Sequence, residues 1–270
     1  MPDATTRIGR SLVHHGPLND RVYLLKLDEH DMPGLPRMLT MMARREGRGK
    51  VVAKVPERHR QAFADEGYVT EATVASMMDG EDGHFMSLFI DMMRKAPLSE
   101  KEAQIIRKSQ ASRKAPRQAH EVVELEPKDA REMARLMEEV FPSYPFPMSN
   151  PDYILHCMSD DVCYYGIKKK GKLVAMGAAE MDSANSCVEM TDLATRSSHR
   201  GMGMSSSLLM HMEERMAERG YRVSYTIARS ASMGINMVFG RAGHRYGGTL
   251  SLNTNISGRM EHMNVWHKRL

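Results

Sequence analysis

The sequence predicts a mixed α/β (α+β) protein with a central mixed, largely antiparallel sheet, preceded by a smaller N-terminal α/β unit. Three observations predict it. Apolar runs of strand length alternate with stretches of helical periodicity along both halves of the chain. A polar, proline-containing stretch separates the halves. One unit, Glu189 to Met216, reads as strand, tight turn and helix, with two glycines where the backbone must turn.

In chain order, Met1 to about Pro17 is polar, with a short apolar patch at Ser11-Leu-Val13. Arg21 to Leu27 has the character of a buried strand. Met32 to Arg45 is helical after Pro33, and Lys50 to Val55 is a strand ended by Pro56. Glu57 to Glu66 is a short helix closed by Gly67. Thr70 to Ala75 and His84 to Ile90 are strands around the turn Asp79-Gly-Glu-Asp-Gly83. Residues 1–95 therefore make a small α/β domain of ordinary size. Residues 96–120 are charged and poor in apolar side chains, and read as a linker with one helix from Ser99 to Lys108.

The second domain, residues 121–270, opens with a strand from Glu121 to Leu125. Pro127-Lys-Asp129 caps a helix over Ala130 to Val140, whose Met133, Leu136, Met137 and Val140 form an apolar stripe. Phe141-Pro-Ser-Tyr-Pro-Phe-Pro147 is a stiff aromatic loop, and Tyr153 to Met158 a short helix. Cys163 to Lys168 and Leu173 to Met181 pair as a hairpin. After the central unit come a strand from Arg222 to Ala228, a helix near Met233 to Ala242, and strands over Gly248 to Asn253 and His262 to Lys268. A faint internal repeat aligns Phe63 to Thr73 with Phe239 to Thr249, which suggests that the first domain copies the late half of the second without its glycine-rich loop.

Composition narrows the class. Apolar residues make up 41% and charged residues 27% of the 270, as in a soluble protein with a core. A net charge of +4 does not argue for nucleic-acid binding, and no apolar run approaches a membrane span. Cys157, Cys163 and Cys187 show no metal spacing and suit free thiols in a reducing cytoplasm. The 26 methionines read as adaptable core packing, so no metal is expected.

The turn at Arg200-Gly-Met-Gly-Met-Ser205 has a chemical use. Glycines let backbone approach a ligand, and the first N–H groups of the following helix lack intrahelical partners, so they converge on an anion such as a pyrophosphate. Leu208, Leu209, Met212 and Met216 give that helix its buried face, and Gly220 ends it. A Walker loop is excluded because no Gly-Lys-Ser/Thr closes the turn. A dinucleotide fingerprint is excluded because the third glycine is Ser205 and no acid ends the next strand.

The turn resembles the acetyl-CoA loop of the GNAT acetyltransferases, Arg/Gln-x-x-Gly-x-Gly/Ala, with Ser205 as a mild departure, and the order of elements is the GNAT order. Segments Ser11 to Tyr23, Phe141 to Pro147, Glu189 to Asp192, Asn253 to Gly258 and Met263 to Trp266 resemble the β-lysine N-acetyltransferases over nearly the whole chain. That resemblance implies transfer of acetyl from acetyl-CoA to the side-chain amine of β-lysine. The product is Nε-acetyl-β-lysine, a compatible solute for osmoadaptation. It also implies a cytoplasmic enzyme supplied by a lysine 2,3-aminomutase, and it leaves room for a homodimer.

The resemblance assigns acetyl-CoA to the main chain of Leu193, Ala194 and Thr195, to Arg200, Gly201, Met202, Gly203, Met204 and Ser205, and to Asn236 and Phe239. Amine acetylation needs a neutral amine, and an alkyl ammonium has a pKa near 10, so a base is required. Glu189 is the first candidate and Asp192 the alternative; on a regular strand their opposite parity turns them to opposite faces. Asp192 and Tyr144 are the candidates for binding the acceptor. Many GNATs place a tyrosine four residues before the glycine that ends the late helix, to protonate the leaving thiolate; here that position is Phe239, leaving the ammonium proton, water, Tyr246 or His244. Two other readings compete with this enzyme: an acetyl-CoA-binding sensor without turnover, and an acetyltransferase for another amine or a protein lysine.

Overall fold

A computed structural model describes residues 3–112 and 119–270. The first half holds β1 (Ala4–Ile8), β2 (Ser11–Gly16), β3 (Arg21–Lys26), α1 (Leu35–Arg45), β4 (Lys50–Pro56), α2 (Glu57–Asp65), β5 (Val69–Met78) and β6 (Glu81–Phe89). After α3 (Glu100–Ala111) come β7 (Val123–Glu124), α4 (Ala130–Val140), α5 (Pro151–Ser159), β8 (Val162–Lys169), β9 (Lys172–Asp182) and β10 (Cys187–Thr195). The chain closes with α6 (Met204–Glu218), β11 (Val223–Arg229), α7 (Met233–Arg241), β12 (Arg245–Ile256) and β13 (Arg259–Arg269).

All thirteen strands join one sheet in the order β1-β2-β3-β4-β6-β5-β12-β13-β11-β10-β9-β8-β7. Among the described residues only β3–β4 and β10–β11 are parallel. The order mirrors itself about the β5–β12 seam. β2-β3-α1-β4-α2-β5-β6 repeats β9-β10-α6-β11-α7-β12-β13 strand for strand, so the repeat extends beyond the late half. Its faint sequence trace has a packing counterpart. Phe63 meets Tyr68 edge-on at 5.1 Å, and Phe239 meets His244 the same way at 5.0 Å.

Glycine makes the seam. A Cβ on Gly247 would lie 2.4 Å from the carbonyl oxygen of Thr73, and one on Gly248 would lie 2.2 Å from that of Glu71. Only residues without a side chain let β12 lie this close to β5. Buried cations brace the joint: Lys50 Nζ donates to Glu71 Oε2 at 2.6 Å and to the Ser251 carbonyl at 2.8 Å. One apolar cluster takes Tyr23, Val52 and Phe85 from the first half and Cys187, Tyr225 and Met263 from the second.

Helices cover the sheet as their apolar stripes dictate. α6 buries Leu208, Leu209, Met212 and Met216 against β10, and α4 buries Met133, Leu136 and Met137 near β9. The first seventeen residues differ from expectation. They contain β1 and β2, which are too short and too polar to stand out in sequence. The 96–120 stretch contains α3, started by a Ser99–Glu102 capping box and packed on α7, where Gly240 lies under the Ser109 carbonyl. Residues 113–118 of that stretch lie outside the described residues.

Candidate active site

β10 and β11 begin as a parallel pair and then part. Their register covers Cys187, Val188 and Glu189 only, against Val223, Ser224 and Tyr225. Beyond Glu189 the edge of β10 turned towards β11 has no strand partner among the described residues, so the N–H groups it presents on that side between Leu193 and Thr195 are available to a ligand. The opening between the strands is a cleft of about 810 Å³. Its outer end is formed by Arg200, Gly201, Gly203 and Ser205, and its inner end by Phe141, Tyr144, Asp192 and Ile256.

The outer end suits a pyrophosphate. Gly201 and Gly203 both have φ of +80°, in the left-handed region that favours glycine. No side chain caps α6, so its first N–H groups face the cleft with the positive end of the helix dipole behind them. Arg200 is exposed beside them, its Nε donating to the Thr195 carbonyl at 3.3 Å. Ser205 Oγ lies 3.3 Å from Thr195 Oγ1, which links helix start to strand. Met204 is buried under the turn, whereas Met202 points outward and offers only backbone, its carbonyl accepting from His120 Nε2.

A bulge decides the inner end. Four residues of β10, Thr191 to Ala194, stand against three of β9, Ala178 to Met176. Asp192 takes up the extra length with a φ of +52°. Val188, Met190 and Leu193 therefore face α6, while Cys187 and Ala194 face the opposite side. This corrects the parity expectation: Glu189 and Asp192 share a face. Asp192 Oδ1 accepts from the Tyr144 hydroxyl at 2.9 Å.

The shared face perturbs both acids. Burial, reinforced by the charge of Glu180, pushes Glu189 up to about 7, against the pull of Lys54 and a hydrogen bond from Tyr225. Burial pushes Asp192 up to about 7 as well, with Tyr144 opposing and Glu180 adding. Burial and the charge of Asp192 hold the Tyr144 hydroxyl well above its ordinary range, so it stays a donor. Burial alone would lower Lys54, but Tyr23 and the charges of Glu189 and Glu180 outweigh it and raise it. Lys54 and Tyr23 come from the first half of the chain, and no sequence signal marked them, nor Glu180 and Tyr225, as neighbours of the acids.

Three expectations are corrected. Asn236 does not turn to the cleft: its Nδ2 donates to the carbonyls of Arg229 and Ser232, and its Oδ1 accepts from Asn264 Nδ2 and Trp266 Nε1. His244, pushed down to about 3 by burial, is fully packed and lies 3.0 Å from Ser224 Oγ. Tyr246 pairs with Thr249, and neither it nor His244 lines the cleft. Phe239 does reach the cleft wall, although most of its ring is core.

The profile of the Acetyltransferase (GNAT) family matches residues 130–233, the span from α4 to the start of α7. A β-lysine N(6)-acetyltransferase of Methanococcus maripaludis is 37% identical over 267 residues, covering 97% of each chain. The chain belongs to the GNAT acetyltransferases. A second β-lysine N(6)-acetyltransferase, from Methanosarcina mazei, is 31% identical over 86% of this chain and 95% of its own. The N-acetyltransferase YodP of Bacillus subtilis is 26% identical over 96% of each. This acetyltransferase thus uses acetyl-CoA, and the uncapped start of α6 and the open edge of β10 fit that donor. Among the described residues no helix is long and apolar enough to cross a membrane.

Proposed function

We propose that the enzyme transfers the acetyl group of acetyl-CoA to the side-chain amine of β-lysine, giving Nε-acetyl-β-lysine. The observation that carries this reading is 37% identity to a β-lysine N(6)-acetyltransferase over 97% of both chains. The reading implies a lysine 2,3-aminomutase as the source of β-lysine, a compatible-solute role for the product, and a cytoplasmic setting.

Residues of the cleft divide the work. Arg200 and the N–H groups opening α6 bind the phosphates, and the glycines leave them room. Main-chain N–H groups at Leu193 to Thr195 hold the thioester carbonyl and its growing negative charge. Asp192 at the cleft wall, or Glu189 behind it through water, both carboxyls held up by burial, takes a proton from the acceptor ammonium. The freed amine forms the new C–N bond as the C–S bond breaks. Of the two ammonium protons lost, one ends on the thiol and one reaches solvent through the carboxylates. With Phe239 in place of a tyrosine, the thiolate is protonated by a proton relayed from the amine or by water. Its ordinary pKa, near 8.5, makes it a tolerable leaving group.

The test is purified protein with acetyl-CoA and a panel of β-lysine, lysine, polyamines and a lysine peptide, following free thiol and mapping the acetylated nitrogen by mass spectrometry. Highest kcat/KM with β-lysine, modified on the ε-amine, is expected. Preference for the peptide would overturn the small-molecule reading, and acetyl-CoA binding without turnover on any amine would make the protein a sensor.

A further inference from the structure

Several segments that set this chain apart lie outside the acetyl-CoA loop: Ser11 to Tyr23, Phe141 to Pro147 and Asn253 to Gly258. The fold brings them together. His14 of β2 packs on Phe146 of the aromatic loop with ring centroids 4.9 Å apart. Gly258 N–H donates to Ser143 Oγ at 3.1 Å, which fastens that loop to the β12–β13 turn. Arg21 of β3 reaches β12, its Nη1 donating to the Asn253 carbonyl at 2.7 Å and to Thr254 Oγ1 at 3.1 Å.

Arg21 is the anomaly in this cluster. It is only 3% exposed, and its guanidinium lies 4.8 Å from the Tyr23 ring centroid. Among the described residues its hydrogen-bond acceptors are neutral, and its Nε has none. Asp3 and Glu189 lend it charge only from a distance, and no carboxylate among the described residues pairs with it directly. A buried cation without a direct ion pair is unfavourable, so buried arginines are normally paired. The surrounding polar groups are also incomplete. Nδ1 of His14, 3% exposed, and Oδ1 of Asn253, 1% exposed, have no partners among the described residues. A cationic donor and a neutral acceptor left open side by side match a carboxylate and an ammonium carried on one small molecule.

Position supports the match. Thr254, which Arg21 contacts, is two residues from Ile256, a lining residue at the inner end of the cleft. Two residues of strand span roughly 7 Å, the distance an extended lysine-like chain must cover, since Arg21, Asn253 and Thr254 do not themselves line the cleft. Burial pulls Arg21 down to about 10, and the charge of Asp3, with a smaller contribution from Glu189, opposes it.

We propose that the first half of the chain completes the acceptor site, and that Arg21 is the specificity-determining residue that binds the acceptor's carboxylate, with Asn253 accepting from its neighbouring ammonium. The inference rests on the β-lysine reading above. It gives the non-catalytic half a role in selecting an amino acid over a simple diamine. The acceptor enters with its head group towards β3 and β12 and its terminal amine towards Glu189 and Asp192.

The experiment compares β-lysine with the diamine that lacks only the carboxylate, for wild type, Arg21→Gln and Arg21→Lys. Wild type should prefer β-lysine, mainly through KM. Arg21→Gln should reduce that preference roughly 10- to 100-fold, the loss of a charge-assisted contact, and Arg21→Lys should restore part of it. A structural role would lower kcat/KM for both acceptors in proportion and leave the ratio unchanged, which overturns the proposal. Should Arg21→Gln not fold, the wild type alone decides: equal KM for the two acceptors also overturns it. No turnover of β-lysine by wild type would instead sink the acceptor assignment itself.

Discussion

The Tyr144 hydroxyl donates to Oδ1 of Asp192 at 2.9 Å, joining the aromatic loop to the bulge of β10. This bond stabilises the ionised carboxylate and opposes the burial that raises Asp192 to about 7. Tyr144→Phe should therefore push Asp192 higher still. The acidic limb of the kcat–pH profile should move to higher pH, with kcat at pH 7 lower by roughly 2- to 10-fold. An unmoved profile would separate Asp192 from the proton path.

Glu189→Gln and Asp192→Asn each remove a group poised near 7. The larger loss, about 10²–10³-fold in kcat at pH 7, should fall on whichever is the base, and it should shrink at high pH where free amine is plentiful. Single-turnover rates across pH 6–9, about the range of these groups, measure it. Full activity of both variants at pH 7 would leave the proton to water.

Stability should respond in the opposite direction. Both carboxyls are raised above their unfolded values, so their favourable contribution is complete below the ordinary carboxylate range and is lost as pH rises through about 7. The neutral amide variants escape that loss. Asp192→Asn should melt higher than wild type at pH 8, by the equivalent of ~1–3 kcal/mol, and the advantage should vanish at pH 4. Thermal scans at the two pH values check it.

Arg200→Ala should weaken acetyl-CoA binding by roughly 1.5–3 kcal/mol through loss of a charge-assisted phosphate contact. The effect should diminish at high salt, since Arg200 is exposed. Titration calorimetry at two ionic strengths tests both parts, and an unchanged dissociation constant removes Arg200 from the site.

Asn236→Leu should act on folding rather than on the donor. It strands the buried Nε1 of Trp266 and Nδ2 of Asn264 without an acceptor. Destabilisation of about 2–4 kcal/mol is expected, with KM for acetyl-CoA little changed in the folded fraction. Phe239→Leu should likewise lower stability while altering kcat little. A selective rise in KM for acetyl-CoA in the Asn236 variant would return that residue to the cofactor.

Local chemistry made much of this protein legible. The turn from Arg200 to Ser205 was readable because glycine spacing, a flanking arginine and an amphipathic helix lie in one continuous stretch, and an anion site at a helix start needs nothing more distant. The helices from Ala130 to Val140 and from Met204 onwards were equally plain, since 3.6-residue periodicity is written along the chain.

Other features depend on residues far apart in sequence. A strand's parity fails at a bulge, and the bulge at Asp192 appears only when β10 is laid against β9, so the shared face of Glu189 and Asp192 was invisible. Asn236 looked like a ligand-facing amide until Trp266 and Asn264 occupied its oxygen. Gly248 reads only as the start of a strand, yet it and Gly247 set the contact that fuses two repeats into one sheet. The sequence by itself determined the family, the donor and the loop proposed to bind it, because those reside in short contiguous motifs. Only the tertiary structure decided which acids share a face and that Arg21 is buried without a direct ion pair, because burial and charge pairing belong to side chains that meet only after the chain has folded.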